Sequence, residues 1–234
     1  MQQKISQIVE DQIKAWSRNS TIITAKSPEE QKHKSALITI SREYGAKGAR
    51  LAKFMGDKSG YDVWDKNILQ EIANDLNSDK KILESLDERR QEIVEDTVSV
   101  FLNNVHTNVN YLRSLVRVIR SIEEHGKAIV VGRGANYICQ NPYSLHVRIV
   151  SPLKARVADY SDRKQISKAE AKEIITQKDR ERSEFIKRNF NKDVNKASDY
   201  DLLINSEVFS LEQMSGIVSD AYRKKSGVEL PVLA

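Results

Sequence analysis

The stretch 36–53, ALITISREYGAKGARLAK, decides the fold of this chain. An apolar, β-branched run over 36–40 leads into a loop that contains Gly45 and Gly48, and a helical pattern follows immediately. A strand, a tight loop and a helix in this order bring backbone N–H groups to a helix N-terminus, where they suit phosphate oxygens. The stretch therefore predicts an α/β fold with a phosphate-binding loop and indicates nucleotide chemistry.

The loop does not fit the phosphate-loop pattern G-x-x-x-x-G-K-[ST] in any register. If Lys47 is the phosphate lysine, Ala46 replaces the glycine before it and Gly48 replaces the hydroxyl residue after it. If Gly48 occupies the lysine position, the positive charge must come from Lys47 or Arg50. The sequence leaves both arrangements open.

Composition bounds the size of the protein and the class of its ligand. The 234 residues are enough for one α/β domain with insertions, and 39% apolar residues are enough for a core. The net charge is +5, from 38 basic and 33 acidic residues, and it suits a pocket for several phosphates. No dense basic run with interleaved aromatic residues occurs, so nucleic acid ranks below small phosphorylated ligands.

Cysteine and histidine usage argues against disulfides and zinc. Cys139 is the single cysteine, which excludes an intrachain disulfide, and its apolar neighbours predict a small buried side chain. The four histidines share no ligand spacing, so no zinc site is expected; they are His33, His106, His125 and His146.

Hydropathy predicts a protein without membrane association. The N-terminal sequence MQQKISQIVEDQ lacks the apolar segment of a signal peptide. No apolar run approaches the ~20 residues needed to cross a bilayer. We therefore expect a cytoplasmic location.

Periodicity divides the chain into an N-terminal segment (1–35) and one domain (36–234). Residues 3–18 carry apolar side chains at helical spacing and predict an amphipathic helix, which docks on the domain or contacts a second subunit. The polar residues 19–35 predict a linker. In the domain, short β-rich apolar runs alternate with helical patterns, which predicts a doubly wound parallel sheet. The strands are predicted at 36–40, 61–64, 128–131, 145–150 and 201–204, and the helices at 48–58, 66–77, 152–162, 168–189 and 211–225.

Two segments interrupt this alternation. About fifty residues before Gly126 contain no convincing strand, and their apolar residues recur at helical spacing. They predict a helical insertion at about 78–125. The second segment, about 159–188, is a highly charged helical stretch between the fourth and fifth strands.

Six segments in this order resemble the cytidylate kinase-like family: ISREYGAKGARLAK, YDVWDKNILQEIA, VVGRGANYI, LHVRIVSPLKARV, KDRERSEFIKRNF and YDLLINSE. The resemblance spans roughly residues 36–225. It implies a P-loop kinase-like sheet of five parallel strands with helices on both faces, a helical insertion and a mobile basic lid. It also implies ATP-dependent phosphoryl transfer to a nucleoside monophosphate, with CMP or dCMP as the default acceptor and Mg²⁺ accompanying ATP.

The loop departs from the family pattern, which reads approximately SREYGSGGREIA. Lys47 stands where a glycine is usual, Ala49 where an arginine is usual, and Arg50 where a glutamate is usual. Positive charge is kept within this turn but moved. The strand 128–131 ends without an acidic residue, so the sequence names no protein ligand for the metal.

Each candidate residue is expected to position or neutralise phosphate, because phosphoryl transfer needs little covalent help from the protein. The loop would surround the ATP phosphates; its residues are Ser41, Arg42, Glu43, Tyr44, Gly45, Ala46, Lys47, Gly48, Ala49 and Arg50. Lys47 and Arg50 are the first candidates for the phosphate cation, and Arg42 is the third.

The acceptor is expected at the carboxyl ends of the other strands. Asp65 and Lys66 follow the second strand. The resemblance implies that Asp65 accepts from the base or sugar of the acceptor and that Lys66 contacts its phosphate; a helix N-cap is the alternative role of Asp65, and both roles are compatible. Arg133, flanked by Gly132 and Gly134, offers a bidentate fork for the acceptor phosphate.

The late charged stretch supplies candidate lid cations, of which one or two would act on phosphate. They are Arg156, Arg163, Lys178, Arg180 and Arg182. Within the KDRER match we favour Arg182 as a catalytic cation, with Asp179 orienting an arginine or a metal-bound water. Arg156 is assigned to substrate binding.

Two rival functions use the same features. One is a kinase for another small acceptor on the same fold. The other is a non-catalytic nucleotide-sensing protein, which the absent loop hydroxyl favours. A homo-oligomer formed through the N-terminal helix or the insertion is a further possibility.

Overall fold

The computed structural model describes residues 27–74, 76–102 and 109–231. The predicted N-terminal helix at 3–18 lies outside these residues. Five parallel strands form one sheet in the order β2–β3–β1–β4–β5. The strands are β1 (Ile38–Arg42), β2 (Asp62–Trp64), β3 (Ala128–Val131), β4 (Leu145–Val150) and β5 (Leu202–Asn205).

Helices connect the strands and cover both faces of the sheet. They are α1 (Pro28–Lys34), α2 (Gly48–Ser59), α3 (Lys66–Asn74), α4 (Leu76–Glu84), α5 (Glu88–Leu102), α6 (Val109–His125), α7 (Ala135–Ile138), α8 (Leu153–Lys164), α9 (Lys168–Phe190) and α10 (Leu211–Ser226), with a 3-10 turn at Ala197–Asp199.

The core lies on both faces of the central strand. Ile38 and Ile40 face one cluster of buried side chains, which also contains Leu51 and Met214 from α2 and α10. Leu37 faces the other cluster, which receives residues of α3 and α6. A strand buried on both faces reads as a continuous apolar run, and this is why the sequence pattern located it. The prediction of an α/β fold with a five-stranded parallel sheet is confirmed.

The predicted linker is wrong for residues 28–34, which form α1. Pro28 occupies the first helical position, acidic residues follow it, and basic residues end the helix. The Ser27 hydroxyl also accepts a hydrogen bond from the backbone N–H of Glu30, at 3.2 Å. These local preferences outweigh the polar composition that suggested a linker.

The helical insertion consists of α4, α5 and α6. Helix α6 packs against both of the other helices and against α3. Its buried face carries Leu112, Leu115 and Ile119 at helical spacing. The insertion thus shares one core with the sheet.

The charged stretch late in the chain forms the helix pair α8 and α9. Gln165 ends α8 in the left-handed conformation, and the Ser167 hydroxyl caps α9 by accepting from the backbone N–H of Glu170, at 3.1 Å. The two helices pack against each other. No helix of the described residues is long and apolar enough to cross a membrane.

Candidate functional site

The predicted site residues gather at the carboxyl edge of the sheet. Strand β1 ends at Arg42, β2 is followed by Asp65 and Lys66, and β3 is followed by Gly132 and Arg133. Because all five strands are parallel, these ends lie at one edge, which is where open α/β sheets bind ligands.

The loop between β1 and α2 turns sharply at two residues. Gly45 has φ 85°, and Lys47 has φ 62°, a left-handed conformation that side chains other than glycine rarely adopt. The Lys47 Nζ donates to the carbonyl oxygen of Ser206 at 3.2 Å. Ala49 and Arg50 are exposed in the first turn of α2, whereas Ala46 is buried.

A buried ion pair fixes this loop to α8 and α9. The Asp179 carboxylate accepts from the backbone N–H of Tyr44 at 2.7 Å and from Nη1 of Arg156 at 2.5 Å. Arg156 also donates to the carbonyl oxygens of Ser151, at 2.8 Å, and of Tyr44, at 3.0 Å. Charge-assisted bonds of this kind hold a loop in one geometry. Arg156 and Asp179 thus lie beneath the loop, and the donors and acceptors named here are hydrogen-bonded to other protein groups.

Glu43 and Ser41 also use their side chains to hold the loop. The Glu43 carboxylate accepts from the backbone N–H of Ser151 at 2.9 Å. The Ser41 hydroxyl accepts from Nη1 of Arg148 at 2.9 Å. Both contacts join the start of the loop to β4 or the residue after it.

A cleft that we call the inner cleft opens between β1, the loop after β3, and α9. Its volume is about 740 Å³ including its open mouth. Its polar walls carry cations, and its apolar wall comes mainly from α9. The residues that line it include Arg42, Lys66, Arg133, Asn136, Lys178, Arg182 and Phe185.

A second cleft, the loop cleft, lies between the β1–α2 loop and the end of α8. Its volume is about 690 Å³ including its open mouth. Lys47, Arg50 and Arg163 contribute positive charge, and Tyr44 and Tyr160 contribute aromatic surface. Arg42 and Arg182 line both clefts, so the two clefts meet at these two arginines.

Side-chain contacts hold Arg182 and Arg133 in the clefts. The Nη1 of Arg182 donates to the carbonyl oxygen of Arg42 at 2.9 Å, and its guanidinium lies 5.1 Å from the centre of the Tyr44 ring. The Arg133 guanidinium lies 5.1 Å from the centre of the Phe185 ring and donates to the side-chain oxygen of Gln70. Aromatic faces position such cations while leaving other donors available.

The inner cleft presents hydrogen-bond donors that lack protein partners. The buried Nε of Arg133 and Nδ2 of Asn136 make no hydrogen bond within the described part of the chain. Buried donors are ordinarily paired, so an acceptor-rich ligand would complete this site. Phosphates, sugars and bases all supply such acceptors.

Crowded positive charge shifts the pKa values of the cleft residues. Burial, with the nearby Arg182 and Arg133, lowers the pKa of Arg42 to about 9. Burial and then Arg133, Arg182 and Arg42 lower the pKa of Lys66. Like charges disfavour each other's charged forms, so a bound anion would stabilise this group.

Asp65 caps α3 in the structure. Its Oδ1 accepts from the backbone N–H groups of Asn67, at 2.7 Å, and Ile68, at 3.1 Å. The capping interpretation is confirmed, and the assignment to substrate binding stays a prediction. The neighbouring Lys66 lines the inner cleft.

Two residues that line the inner cleft, and one that contacts Arg133, were not assigned from the sequence. Asn136 follows the GRGA segment, Phe185 lies in KDRERSEFIKRNF, and Gln70 lies in α3. All three belong to segments that carried the family resemblance, and that was the available signal. The contact of Gln70 with Arg133 had no signal of its own, because it depends on where Arg133 is placed in three dimensions.

The side chains suit phosphates better than a bare metal ion. Over residues 27–74, 76–102 and 109–231, no three histidine, cysteine or carboxylate side chains group so as to hold a metal. Mg²⁺ retains much of its hydration and binds readily through substrate phosphates.

Comparison with known proteins agrees with this geometry. A sequence model of the cytidylate kinase-like family matches residues 37–208. The chain belongs to the cytidylate kinase-like family. Membership supports phosphotransferase activity and nucleotide binding.

A solved structure shares the fold of this family member. It is the crystal structure of an uncharacterized protein from Eubacterium ventriosum ATCC 27560, with 18% sequence identity and a TM-score of 0.65. The similarity covers 82% of this chain and 99% of that chain. The search of curated proteins found no significant match.

Proposed function

We propose that the protein transfers the γ-phosphoryl group of ATP to a nucleoside monophosphate. The observation that carries this proposal is the meeting of two cation-lined clefts at Arg42 and Arg182. Phosphoryl transfer requires a donor and an acceptor on either side of one phosphoryl group, with charge neutralised between them. CMP or dCMP is the first acceptor to test, because it follows from the family.

In this proposal the loop cleft binds the ATP phosphates. The backbone N–H groups of Gly45, Lys47 and Gly48 at the start of α2 would face the phosphates, and Lys47 and Arg50 would add positive charge. The ion pair of Arg156 and Asp179 positions the loop and does not itself contact phosphate. Mg²⁺ would bind mainly through the phosphate oxygens and would neutralise their charge.

The inner cleft binds the acceptor in this proposal. Arg133 and Lys66 contact its phosphate, with Gly132 allowing close approach, and the unpaired amide of Asn136 faces the nucleoside. Phe185 supplies an apolar wall. Asp65 would hold Lys66 and the start of α3 in place through its capping bonds.

The test is Mg²⁺- and ATP-dependent release of ADP in the presence of CMP, dCMP, UMP, AMP or GMP, with a reaction lacking acceptor as control. We expect one acceptor to stimulate ADP release with formation of its diphosphate. ATP turnover that none of these acceptors stimulates would instead favour a kinase for another small acceptor.

A second candidate function is nucleotide binding without transfer. The Lys47 Nζ is engaged by the carbonyl oxygen of Ser206, and the residue that follows is Gly48 instead of a hydroxyl residue. Thermal stabilisation by a nucleotide with no ADP release under any acceptor condition would favour this function over a kinase.

A further inference from the structure

Arg42 occupies a position that no other loop cation shares. It lines both clefts, whereas Lys47 and Arg50 line only the loop cleft and Arg133 lines only the inner cleft. Arg182 also lines both, but one of its guanidinium nitrogens is already bonded to the carbonyl oxygen of Arg42. Arg42 thus lies where the two clefts meet.

Two glycines make room for the Arg42 side chain. A Cβ at Gly48 would lie 2.7 Å from the Cβ of Arg42, closer than such atoms pack. A Cβ at Gly132 would overlap the Nη1 of Arg42, and Gly132 has φ 80°. The loop after β1 and the loop after β3 therefore both approach this side chain closely: a side chain at Gly48 would meet the stem of Arg42, and one at Gly132 would force its guanidinium to move.

The Arg42 guanidinium is surrounded mainly by other cations. Among the described residues, it forms no hydrogen bond or ion pair. Its neighbours Arg182 and Arg133 repel it, and the weaker attraction of Asp65 does not offset them. The buried Arg148 and Arg156 are different, since each donates to protein oxygens at 3.0 Å or less. An arginine kept in a crowded site without a partner is unfavourable for folding but available to an anion.

We propose that Arg42 is the catalytic cation that replaces the lysine of the ordinary phosphate loop. Its guanidinium binds the phosphoryl group between the donor in the loop cleft and the acceptor in the inner cleft. This assignment rests on the proposed function for its role in turnover. The anion-binding role itself does not depend on which nucleotide is the acceptor.

The transfer step requires no proton from Arg42. A phosphate oxygen of the acceptor forms a bond to the γ-phosphorus of ATP, and the bond from that phosphorus to the β,γ-bridging oxygen breaks. The products are ADP and a nucleoside diphosphate, so the atoms balance. Arg42 contributes positive charge and fixed donors to the oxygens of the transferring group.

The first experiment measures binding of inorganic tripolyphosphate by calorimetry at constant ionic strength. We compare the wild-type protein with Arg42→Met, Arg42→Lys and the control Arg223→Met, whose exposed side chain pairs with Asp220. Arg42→Met should weaken binding about 30-fold or more and Arg42→Lys about tenfold, while the control stays within about twofold. Equal affinity of wild type and Arg42→Met, or no binding by wild type, would overturn the proposal.

Thermal unfolding separates a functional arginine from a structural one. Methionine keeps the aliphatic stem and removes the unpaired charge, so Arg42→Met should raise the Tm of the ligand-free protein by about 2–4 °C. A lowered Tm together with unchanged tripolyphosphate affinity would identify Arg42 as a structural residue and refute the proposal.

Kinetics then distinguishes this inference from the proposed function. In the assay above, Arg42→Lys should lower kcat about 100-fold or more, with a much smaller change in the KM for the acceptor. If Arg42 governs tripolyphosphate binding but wild type releases no ADP, the anion site stands and the kinase proposal fails. If wild type is active and both Arg42 variants match it, the kinase proposal stands and the Arg42 assignment fails.

Discussion

Two groups of charged residues in this protein differ in whether opposite charges neutralise them. In the insertion, Arg117 donates to Asp79 at 2.6 Å and to Glu95 at 2.5 Å. Burial disfavours the charge of Arg117, but the hydrogen bonds and charges of Glu95 and Asp79 outweigh it and raise its pKa. At the carboxyl edge of the sheet, burial and neighbouring cations lower the pKa of Arg42.

This difference distinguishes charged residues that stabilise the fold, such as Arg117, from charged residues that are available to bind a ligand, such as Arg42. The Arg117 group contains its own counter-ions, and its members come from three different helices, α4, α5 and α6. Among the described residues, one cation of the inner cleft has a carboxylate in direct contact: Lys178 pairs with Glu181 at 2.8 Å. Functional sites characteristically carry such unfavourable electrostatics, and a bound anion offsets it.

The largest expected effect comes from removing an inner-cleft cation. Arg133→Ala should reduce kcat/KM for the acceptor about 10³-fold or more, because its fork and its unpaired Nε would no longer contact the acceptor phosphate. The measurement is steady-state ADP release with varied acceptor. The stability of Arg133→Ala should differ little from that of wild type. Arg223→Ala serves as the control for both kcat/KM and stability.

A near-normal rate for Arg133→Ala would contradict the assignment of the inner-cleft cations to a ligand, because the cleft would then hold unpaired charge without catalytic use. Arg133→Lys separates the effect of the positive charge from the effect of the planar guanidinium. Lysine keeps the charge but not the planar fork, so this variant should recover only part of the lost rate.

The next effect is on stability. Arg117→Met leaves the fully buried Asp79 carboxylate without its cation and should lower the free energy of unfolding by about 3–5 kcal/mol. Urea denaturation measures this change. At a temperature where the variant remains folded, its kcat should equal that of wild type.

The exposed pair of Arg223 and Asp220 is the matched control for this loss. Its side chains are 50% and 70% exposed, so Arg223→Met should change the free energy of unfolding by about 0–1 kcal/mol. Similar losses in Arg117→Met and Arg223→Met would show that burial does not set the value of these pairs.

The sheet was predictable from the sequence because its strands are buried on both faces. Short apolar runs such as 128–131 then stand out from amphipathic helices, and the strands β3 and β4 match their predicted bounds. Helix α1 was missed because its stability comes from end effects and from docking. Its His33 ring stacks on Tyr143, with 3.8 Å between ring centres, across more than a hundred residues of chain.

The candidate site was predictable in its residue types and much less in their contacts. Glycine spacing identified the loop, and the family resemblance identified Arg133, Asp179 and Arg182. The central position of Arg42 depends on Gly132, ninety residues away, approaching its guanidinium. Likewise, Asp179 bonds to Tyr44 from a helix that periodicity describes only as charged. Such contacts arise from the sheet order, which one sequence does not determine.

The insertion should also carry part of the pH dependence of stability. Burial, with the nearby Arg90, lowers the pKa of His125 to about 4. Above about pH 6.5 the side chain is neutral in both states; as the pH falls towards 4, the unfolded chain binds a proton that the folded protein does not. The free energy of unfolding should therefore fall by about 2 kcal/mol through this residue, after allowance for its partial exposure.

Urea denaturation between pH 7 and pH 4 tests this contribution. His125→Gln retains a polar group near the Ser85 hydroxyl, which lies 3.1 Å from the His125 Nε2. The variant should lose less stability than wild type over this interval. An unchanged slope would assign the pH dependence to other groups, of which the partly buried His146, also with a pKa of about 4, is the first to examine.

The smallest expected effect concerns Lys47, whose backbone conformation lowers stability while its charge favours anion binding. Lys47→Gly removes the left-handed strain at φ 62° and should stabilise the ligand-free protein by up to about 1 kcal/mol, less the lost bond to Ser206. Its affinity for tripolyphosphate should fall about threefold to tenfold, because one cation leaves the loop cleft. Lys47→Ala loses the same charge but keeps a Cβ, so it should bind like Lys47→Gly and be less stable. If both variants bind as wild type does, the loop charge that matters comes from Arg50 or Arg42, and Arg50→Ala in the same titration decides between them.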